Sequence, residues 1–376
     1  MTTQIALVAN YLKDNQLSMQ KYALFLQTGL LAENFHVEVI RPQACFGQIY
    51  FNKNGIGKWL GYIDKYIIFI RKLFDVKADI IHICDHSNAM YLQYIQGKNH
   101  LITCHDVLAI RSALGEIPQN PVSWTGQQYQ ALILKGLNQA KHVVCVSHKT
   151  REELLALSTL RSEQISVIYN GLNYPFHRLS VDESSNRLLA KPELLKIPFV
   201  MHVGSDTWYK NRAGLLRIFA HYKRLYPESD VYLLLAGRSL PKQLKQLVHE
   251  LKLDARVIEW VNPTTEQIEA LYSTTLALLF PSLHEGFGWP VIEAQACGCP
   301  VVCSNNGPLP EVAADGALMA AAEDEEKLAH LLSQVIHSSS TRSKLIQKGL
   351  VNINRFLPEK VIDDYVKLYT KLRSKT

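Results

Sequence analysis

Short runs of hydrophobic residues recur along the chain, and stretches with the period of an amphipathic helix separate them. Hydrophobic runs that alternate with helical stretches are typical of parallel β-sheets with crossover helices. The predicted strands of the first half are 5–9, 37–40, 80–84, 100–104, 143–146 and 166–168. The predicted strands of the second half are 199–203, 231–236, 256–259, 276–280 and 300–303. The pattern therefore predicts an α/β protein with two sets of parallel strands.

The two sets of strands are separated by residues 170–198, which are rich in proline, glycine and polar side chains. This composition is typical of a linker. We therefore predict a Rossmann-like, doubly wound domain at 1–175, a linker at 176–189 and a second such domain at 190–358. Doubly wound sheets bind ligands at the carboxyl ends of their strands, so we expect the two domains to face a central cleft. An amphipathic helix at 359–376 is expected to pack back on the first domain.

Composition and charge narrow the classes of protein that this chain could belong to. Of its 376 residues, 47% are hydrophobic and 20% are charged, as in an ordinary globular protein. The net charge of +6 is small for this length and gives little support to a nucleic-acid partner. The seven cysteines include no C-x-x-C pair, which disfavours a disulfide framework or a zinc site. Because the sequence shows neither a secretory signal nor a run of transmembrane length, we expect a cytoplasmic protein.

The segment 280–311 carries the densest group of candidate ligand-binding residues. Glu285, Gly286 and Gly288 lie in a predicted loop after a strand, and Glu293 lies about one turn into the following helix. Glycines let backbone N–H groups approach a ligand closely, and a helix N-terminus favours an anion such as a phosphate. The two carboxylates could hydrogen-bond hydroxyl groups at opposite ends of an elongated ligand. Alternatively, Glu285 is solvated and Glu293 only stabilises the dipole of the first helical turn.

The same segment resembles the signature of the retaining glycosyltransferases of family 4. The family pattern E-G-F-G-x-P-x-x-E-A-x-A-x-G-x-P-V-V matches residues 285–302, with Trp289 at a variable position. Pro-Leu-Pro-Glu at 308–311 is a further family-like element. The resemblance implies the GT-B architecture, with acceptor binding in the first domain and nucleotide-sugar binding in the second. It also implies that Glu285 contacts the donor sugar.

For the rest of this loop, the resemblance implies further donor contacts. Glu293 would hold the ribose hydroxyls. The backbone of Gly286, Phe287 and Gly288 would contact the sugar or the phosphates.

A second candidate site follows the strand predicted at 199–203. Gly204 ends this strand, and Lys210 and Arg212 follow it, so two cations lie where a diphosphate could bind. Lys210 matches the lysine that binds the donor phosphates in the family. The family often has an arginine directly after the glycine, where this chain has Ser205, and Arg212 is the candidate to replace it. Alternatively, Lys210 and Arg212 are solvated residues at the start of a helix.

His105 and Asp106 end a predicted strand of the first domain. They could be a hydrogen-bonded structural histidine and a helix cap. The family commonly has a His-Asp pair here, with the histidine near the donor sugar or the reacting hydroxyl. The resemblance therefore implies that the catalytic residues are Glu285, His105 and Lys210. The candidates for the acceptor side are Asp14, Asn15, Gln16, His86 and Asp106.

Residues 53–74 are both basic and aromatic, with Lys58, Trp59, Lys65 and Arg71 among them. Such a segment could make peripheral contact with an anionic membrane, at the inner face of the cytoplasmic membrane. The other interpretation is a helix that covers the first sheet, with its basic residues in solvent.

Taken with the resemblance, these residues predict a retaining hexosyltransferase of class EC 2.4. The donor would be a UDP- or GDP-linked sugar, and the acceptor a saccharide or glycolipid in polysaccharide or glycolipid biosynthesis. Because the chain has no Asp-x-Asp motif, we expect no metal and no other cofactor. The alternatives are an epimerase or phosphorylase of the same architecture, or an inactive sugar-nucleotide-binding protein. A dinucleotide oxidoreductase is disfavoured because no GxGxxG follows the first strand.

Overall fold

The structure is a computed structural model that describes residues 3–14, 16–45 and 61–374. The chain forms two compact units. The first unit consists of Met1–Asn173 and Pro358–Thr376, and the second of Tyr174–Leu357. Within the described residues, each unit contains one parallel sheet of six strands with helices between the strands. The predicted α/β class with two parallel sheets is confirmed.

The sheet of the first unit has the strand order β2-β1-β3-β4-β5-β6. The strands are β1 Gln4–Val8, β2 His36–Ile40, β3 Ile80–Ile83, β4 His100–Cys104, β5 Val143–Cys145 and β6 Ile165–Val167. The helices before residue 174 are α1 Leu17–Ala32, α2 Phe69–Asp75, α3 Leu108–Ala113, α4 Trp124–Leu137 and α5 His148–Leu157. Shorter turns are the 3-10 helices Leu12–Asp14, His86–Tyr94 and Ser162–Gln164 and the π-helix Asp64–Ile68. The strand order reverses between β1 and β3.

Both faces of this sheet are buried. Ile5 and Leu7 of β1 pack in one hydrophobic core. Ala6 and Val8, which alternate with them, pack in a second core on the opposite face. A sheet with both faces covered explains why its strands appear in the sequence as continuous hydrophobic runs.

The second unit has the strand order β12-β11-β10-β7-β8-β9, which reverses between β7 and β10. The strands are β7 Phe199–Gly204, β8 Tyr232–Gly237, β9 Val257–Val261, β10 Leu278–Phe280, β11 Val301–Ser304 and β12 Ala317–Ala320. The helices are α6 Val181–Arg187, α7 Arg212–Leu225, α8 Lys242–Glu250, α9 Thr265–Thr274, α10 Trp289–Ala296, α11 Leu309–Ala313, α12 Glu325–His337 and α13 Ser339–Asn352. The 3-10 turns are Pro192–Leu195, Trp208–Lys210, Ala314–Gly316 and Ile353–Arg355.

The segment predicted as a linker, 176–189, contains α6 and belongs to the second unit. Ser180 and Glu183 form a capping box at the start of this helix. Near its end, Arg187 forms an ion pair with Glu269, which is fully buried in α9. The polar composition of this segment therefore reflects a capped helix that is anchored by an ion pair.

The last helix, α14 Pro358–Arg373, completes the core of the first unit. Its buried residues are Val361, Ile362, Tyr365, Leu368 and Tyr369. Helix α1 approaches it closely at Gly29, where an added Cβ would lie 2.3 Å from Ile362 Cγ1. Glycine at this position therefore allows the two helices to pack together.

Among the described residues, no helix combines the length and the apolar character that crossing a membrane would require.

Two histidines inside the sheets should make the protein sensitive to acid. His82 in β3 and His202 in β7 are both fully buried, and burial lowers the pKa of each to about 3. In the unfolded chain the histidine pKa returns to about 6.5, so between these values the unfolded chain binds more protons. We therefore expect the free energy of unfolding to fall by roughly 1.5 kcal/mol per histidine from pH 6.5 to pH 5.

Urea unfolding at the two pH values measures this effect. In His82→Gln the acid-induced fall should shrink by about 1.5 kcal/mol. His249, whose side chain is 82% exposed, provides the control, since His249→Gln should leave the fall unchanged. An undiminished fall in His82→Gln would contradict the prediction.

Candidate active site

In the second unit, the ends of β7 and β10 bring Lys210 and Glu285 into contact. Strand β7 ends at Gly204 and leads to the turn Trp208–Lys210, while β10 ends at Phe280 and leads to the loop with Glu285. Lys210 Nζ lies 2.6 Å from Glu285 Oε1, and the two side chains are 12% and 9% exposed. Open α/β sheets bind ligands where the strand order reverses, which here is between β7 and β10. The two predicted residues thus form a largely buried ion pair at the expected ligand position.

Hydrogen bonds join the loop after β7 to the loop after β10. Asn211 adopts a left-handed conformation with a φ of 53°, and its side chain accepts a hydrogen bond from the Gly214 N–H at 3.2 Å. The same side chain donates to the Pro281 carbonyl at 3.0 Å. In addition, the Leu283 N–H donates to the Tyr209 carbonyl at 2.8 Å. These contacts hold the two members of the ion pair against each other.

A buried histidine lies beside this ion pair, outside the motifs recognised in the sequence. His202 Nδ1 donates to the Leu279 carbonyl at 3.1 Å, and its ring stacks on Phe280 with 5.9 Å between the centroids. Lys210 Nζ lies 4.8 Å from the centroid of the same phenyl ring. An added Cβ at Gly204 would lie only 3.2 Å from His202 Nε2. Because burial keeps this imidazole neutral near pH 7, it adds no positive charge beside Lys210.

Arg212, the second predicted phosphate cation, is only 3% exposed. Its guanidinium donates to the Gly204 carbonyl at 2.9 Å and to the Arg238 carbonyl at 2.7 Å. Burial lowers the pKa of Arg212. At Gly237, where φ is 141°, an added Cβ would lie 2.2 Å from the Gly204 carbonyl oxygen. The structure thus places Arg212 as a support for the ends of β7 and β8, and its contact with a phosphate stays a prediction.

The loop before α10 requires glycine. Gly288 has a φ of 101°, and an added Cβ there would lie 2.6 Å from Leu309 Cδ2. Phe287 is 3% exposed, and its ring packs at 5.7 Å from that of Phe356. The inward phenyl ring anchors the loop, with half-buried Gly286 next to it. The glycines and the anchor therefore fix the backbone that leads into the N-terminus of α10.

Glu293 is half-buried in α10 and has a partner from α9. Its Oε2 accepts a hydrogen bond from the Tyr272 hydroxyl at 3.1 Å. Burial, together with the charge of Glu293, raises the pKa of Tyr272 well above its usual value. The phenol therefore stays protonated and orients the carboxylate.

In the first unit, polar side chains meet where the strand order reverses. Asn10 follows β1 and Asp85 follows β3, and Asn10 Nδ2 donates to Asp85 Oδ2 at 2.5 Å. Asn10 also donates to Gln16, a predicted acceptor-side residue. Asp85 is 3% exposed and accepts further hydrogen bonds from the Ser87 N–H at 3.0 Å and the Ser87 hydroxyl at 2.7 Å. Asn10 is thus added to the candidate residues, beside Asp85, which precedes the predicted His86.

Two predicted histidines adjoin Asp85. Burial alone would raise the pKa of Asp85, but His86, His105 and its hydrogen bonds bring it below the usual value. His86 Nδ1 lies 3.3 Å from Asp85 Oδ1. His105 is 5% exposed, its Nε2 donates to the Cys84 carbonyl at 2.9 Å, and burial lowers its pKa. The structure therefore brings Gln16, His86 and His105 together around an ionised carboxylate.

The remaining acceptor-side candidates lie in other surroundings. Asp14 forms an ion pair with Lys65 at 2.5 Å. Asp106 Oδ1 accepts a hydrogen bond at 2.9 Å from the N–H of Leu108, the first residue of α3, while the N-cap position of this helix is Val107. Asn15 lies outside the described residues.

Part of the basic and aromatic segment, residues 53–60, also lies outside the described residues. In the described remainder, Phe69 and Leu73 are buried in a core of the first unit. Ile67 and Phe74 are exposed. This part is therefore a helix that covers the first sheet, and contact with a membrane stays a prediction.

Two protein-family models match the chain. The model described as Glycosyltransferase Family 4 matches residues 19–174. The model described as Glycosyl transferases group 1 matches residues 184–351, which include Lys210 and Glu285. The chain belongs to glycosyltransferase family 4.

A curated relative of this family 4 chain is the O-antigen chain mannosyltransferase RfbU of Salmonella typhimurium. The two are 29% identical over 231 residues, which cover 61% of this chain and 58% of the relative. The chain thus spans less than two thirds of the mannosyltransferase that it matches.

Solved structures establish the fold of this family 4 chain. Sucrose-phosphate synthase from Thermosynechococcus elongatus superimposes with a TM-score of 0.79 at 20% identity and full coverage of both chains. Anabaena HepE in complex with UDP and glucose gives a TM-score of 0.74 at 18% identity, covering 98% of this chain and 99% of the other. The predicted GT-B fold is confirmed.

Proposed function

We propose that this family 4 chain is a retaining, metal-independent hexosyltransferase. It moves a sugar from a UDP- or GDP-linked donor to a hydroxyl group of a saccharide or glycolipid, in polysaccharide or glycolipid biosynthesis. The observation that carries the proposal is the buried Lys210–Glu285 ion pair where the strand order of the second sheet reverses. Both partners lie at positions that match family motifs.

The second unit binds the donor in this proposal. Lys210 contacts the diphosphate, and Glu285 contacts the hydroxyl groups of the sugar. Glu293, already oriented by Tyr272, holds the ribose. Backbone N–H groups around Gly286 and the N-terminus of α10 add partial positive charge toward the phosphates. The HepE structure with UDP and glucose supports a UDP-linked donor, and the relative named as a mannosyltransferase supports a hexose.

Transfer then proceeds with the acceptor on the same face as the leaving group. The bond between the anomeric carbon and the phosphate oxygen breaks, and its electron pair leaves with the nucleoside diphosphate. The acceptor oxygen bonds to the anomeric carbon, and its proton passes to a phosphate oxygen. Lys210 stabilises the negative charge on the diphosphate, while Glu285 orients the sugar and stabilises its positive charge.

The first unit binds the acceptor. Asp85 and the amides of Asn10 and Gln16 can accept and donate hydrogen bonds to sugar hydroxyls. We assign His105, the histidine of the family His-Asp pair, to the neighbourhood of the reacting hydroxyl. The O-antigen relative supports a saccharide as the acceptor.

A thermal-shift screen of UDP, GDP and their sugar conjugates tests this proposal. At about 100 times its Kd, the true donor should add roughly 2.7 kcal/mol and raise the Tm by several degrees. We expect one nucleotide sugar to stabilise the protein selectively, and EDTA to change neither this shift nor the transfer rate.

Four results would argue against the proposal. If no compound in the panel stabilised the protein, the proposed nucleotide-sugar donor would be wrong. Loss of turnover in EDTA would contradict metal independence. Isomerisation or phosphorolysis without transfer would favour the epimerase or phosphorylase alternative. Binding without turnover on any acceptor would favour an inactive binding protein.

A further inference from the structure

A buried hydrogen-bond network joins α14 to the centre of the first sheet. Tyr369 OH lies 2.7 Å from His82 Nδ1, and His82 Nε2 lies 2.7 Å from Thr103 Oγ1. Thr103 Oγ1 is also 2.9 Å from Tyr22 OH, which in turn is 2.5 Å from Tyr365 OH. All five side chains are at least 98% buried. The network therefore connects α1, β3 and β4 with the last helix of the chain.

Each group in this network can donate one hydrogen and accept another. Burial holds His82 neutral, so one ring nitrogen donates and the other accepts. The hydrogen bonds can then all be satisfied when every group donates in the same direction along the network. Removing the Tyr365 hydroxyl takes away one of the two hydrogen-bond partners of the Tyr22 hydroxyl, which keeps only Thr103, and this favours local rearrangement.

The network adjoins the candidate catalytic histidine in two ways. The ring of Tyr22 contacts the His105 ring edge to face, with 4.7 Å between the centroids and an angle of 89°. Thr103 precedes His105 by two residues at the end of β4. The network thus fixes Tyr22, which packs against the imidazole of His105, and also fixes the end of β4, which His105 directly follows. The His105 ring also donates from Nε2 to the Cys84 carbonyl at 2.9 Å.

We propose that Tyr365 is a positioning residue for His105, acting through Tyr22 and Thr103. The inference rests on the role of His105 in the proposed transfer reaction. The last helix of the chain then serves catalysis in addition to closing a hydrophobic core. Tyr365 does not touch the reacting atoms in this proposal. Its hydroxyl holds Tyr22 in the orientation that the His105 ring packs against.

The test is Tyr365→Phe, which removes one hydroxyl and keeps the aromatic ring. A small displacement of a catalytic group can lower turnover by about 10- to 100-fold, so we expect kcat to fall within that range. The KM for the nucleotide sugar should stay unchanged, because the donor contacts lie in the second unit. NMR of the protein with labelled histidine should show a shift of the His105 ring signals, assigned with a His105→Asn variant.

Tyr222→Phe is the matched control. Tyr222 is a fully buried tyrosine of the second unit whose hydroxyl bonds Ser229 at 2.7 Å. Its replacement should cost similar stability and leave kcat and the His105 signals unchanged. Tyr22→Phe breaks the same network from α1 and gives a second measurement if Tyr365→Phe does not fold.

The outcomes separate this inference from the proposed function. If His105→Ala keeps the full transfer rate, the assigned role of His105 fails and the inference fails with it. If His105→Ala is inactive but folded Tyr365→Phe and Tyr22→Phe keep the parental kcat and His105 signals, only the inference is overturned. A lowered kcat together with shifted His105 signals in either tyrosine variant supports it.

Discussion

Replacing Glu285 by glutamine should remove sugar transfer while the protein still binds a nucleoside diphosphate. The amide keeps the size of the side chain but loses the charge that stabilises the developing positive charge on the sugar. The loss of one preorganised electrostatic contact typically lowers the rate by about 100- to 1,000-fold. Because Lys210 lies 2.6 Å from Glu285, the substitution also frees this cation for the phosphates. Diphosphate affinity should therefore be equal or higher.

Release of nucleoside diphosphate in the transfer assay measures the rate, and calorimetry measures the affinity for UDP or GDP. The matched control is Glu325→Gln, since Glu325 is likewise paired with a cation, Arg217, at 2.7 Å. It should leave both quantities unchanged. If Glu285→Gln transferred sugar as fast as the unsubstituted protein, the role assigned to Glu285 would be wrong.

Replacing Lys210 by methionine should have the opposite effect on diphosphate binding. A hydrogen bond to a charged group contributes about 1.5–3 kcal/mol, so the Kd for the diphosphate should rise by about 10- to 100-fold. Transfer should also be lost, because the leaving group is no longer stabilised. Calorimetry and the transfer assay measure the two effects. Lys245→Met is the control, since Lys245 is 57% exposed beside Glu259.

The Lys210→Met variant should also be less stable, because it leaves the Glu285 carboxylate, 9% exposed, without its cation. The double variant Lys210→Met/Glu285→Gln should regain much of that stability and remain inactive. A Lys210→Met protein that binds the diphosphate as tightly as the parent would contradict the assignment of Lys210.

Much of the fold could be predicted because buried parallel strands leave continuous hydrophobic runs in the sequence. Strand β12, Ala317–Ala320, is absent from the predicted strands because the intrinsic propensity of alanine favours helix over strand. Helix α6 differs from the prediction because its polar residues are also typical of a linker. The capping box of Ser180 and Glu183 was the signal that could have identified it.

The candidate site residues could be predicted from family motifs or from their positions in loops after strands, but the contacts between them could not. Lys210 and Glu285 were each recognised, but their contact joins residues 75 positions apart and leaves no local pattern. Asn10 and Asp85 are also 75 positions apart, and single polar residues in loops do not indicate that they meet. Asp106 and Arg212 have the right side chains for binding a ligand. Asp106 instead accepts a hydrogen bond from the Leu108 N–H two residues later, which is a local contact. The hydrogen bonds of Arg212 to the Gly204 and Arg238 carbonyls depend on tertiary structure.

The position of α14 has a consequence for synthesis of the chain on the ribosome. Its residues Val361, Tyr365 and Tyr369 belong to the core of the first unit, which otherwise ends at Asn173. The second unit, Tyr174–Leu357, is one uninterrupted segment and can fold as soon as it emerges. The unit that is translated first is therefore completed last. Until α14 has left the ribosome, the face of α1 around Gly29 has no helix packed against it. At this stage of synthesis, chaperones would find exposed hydrophobic surface on the first unit.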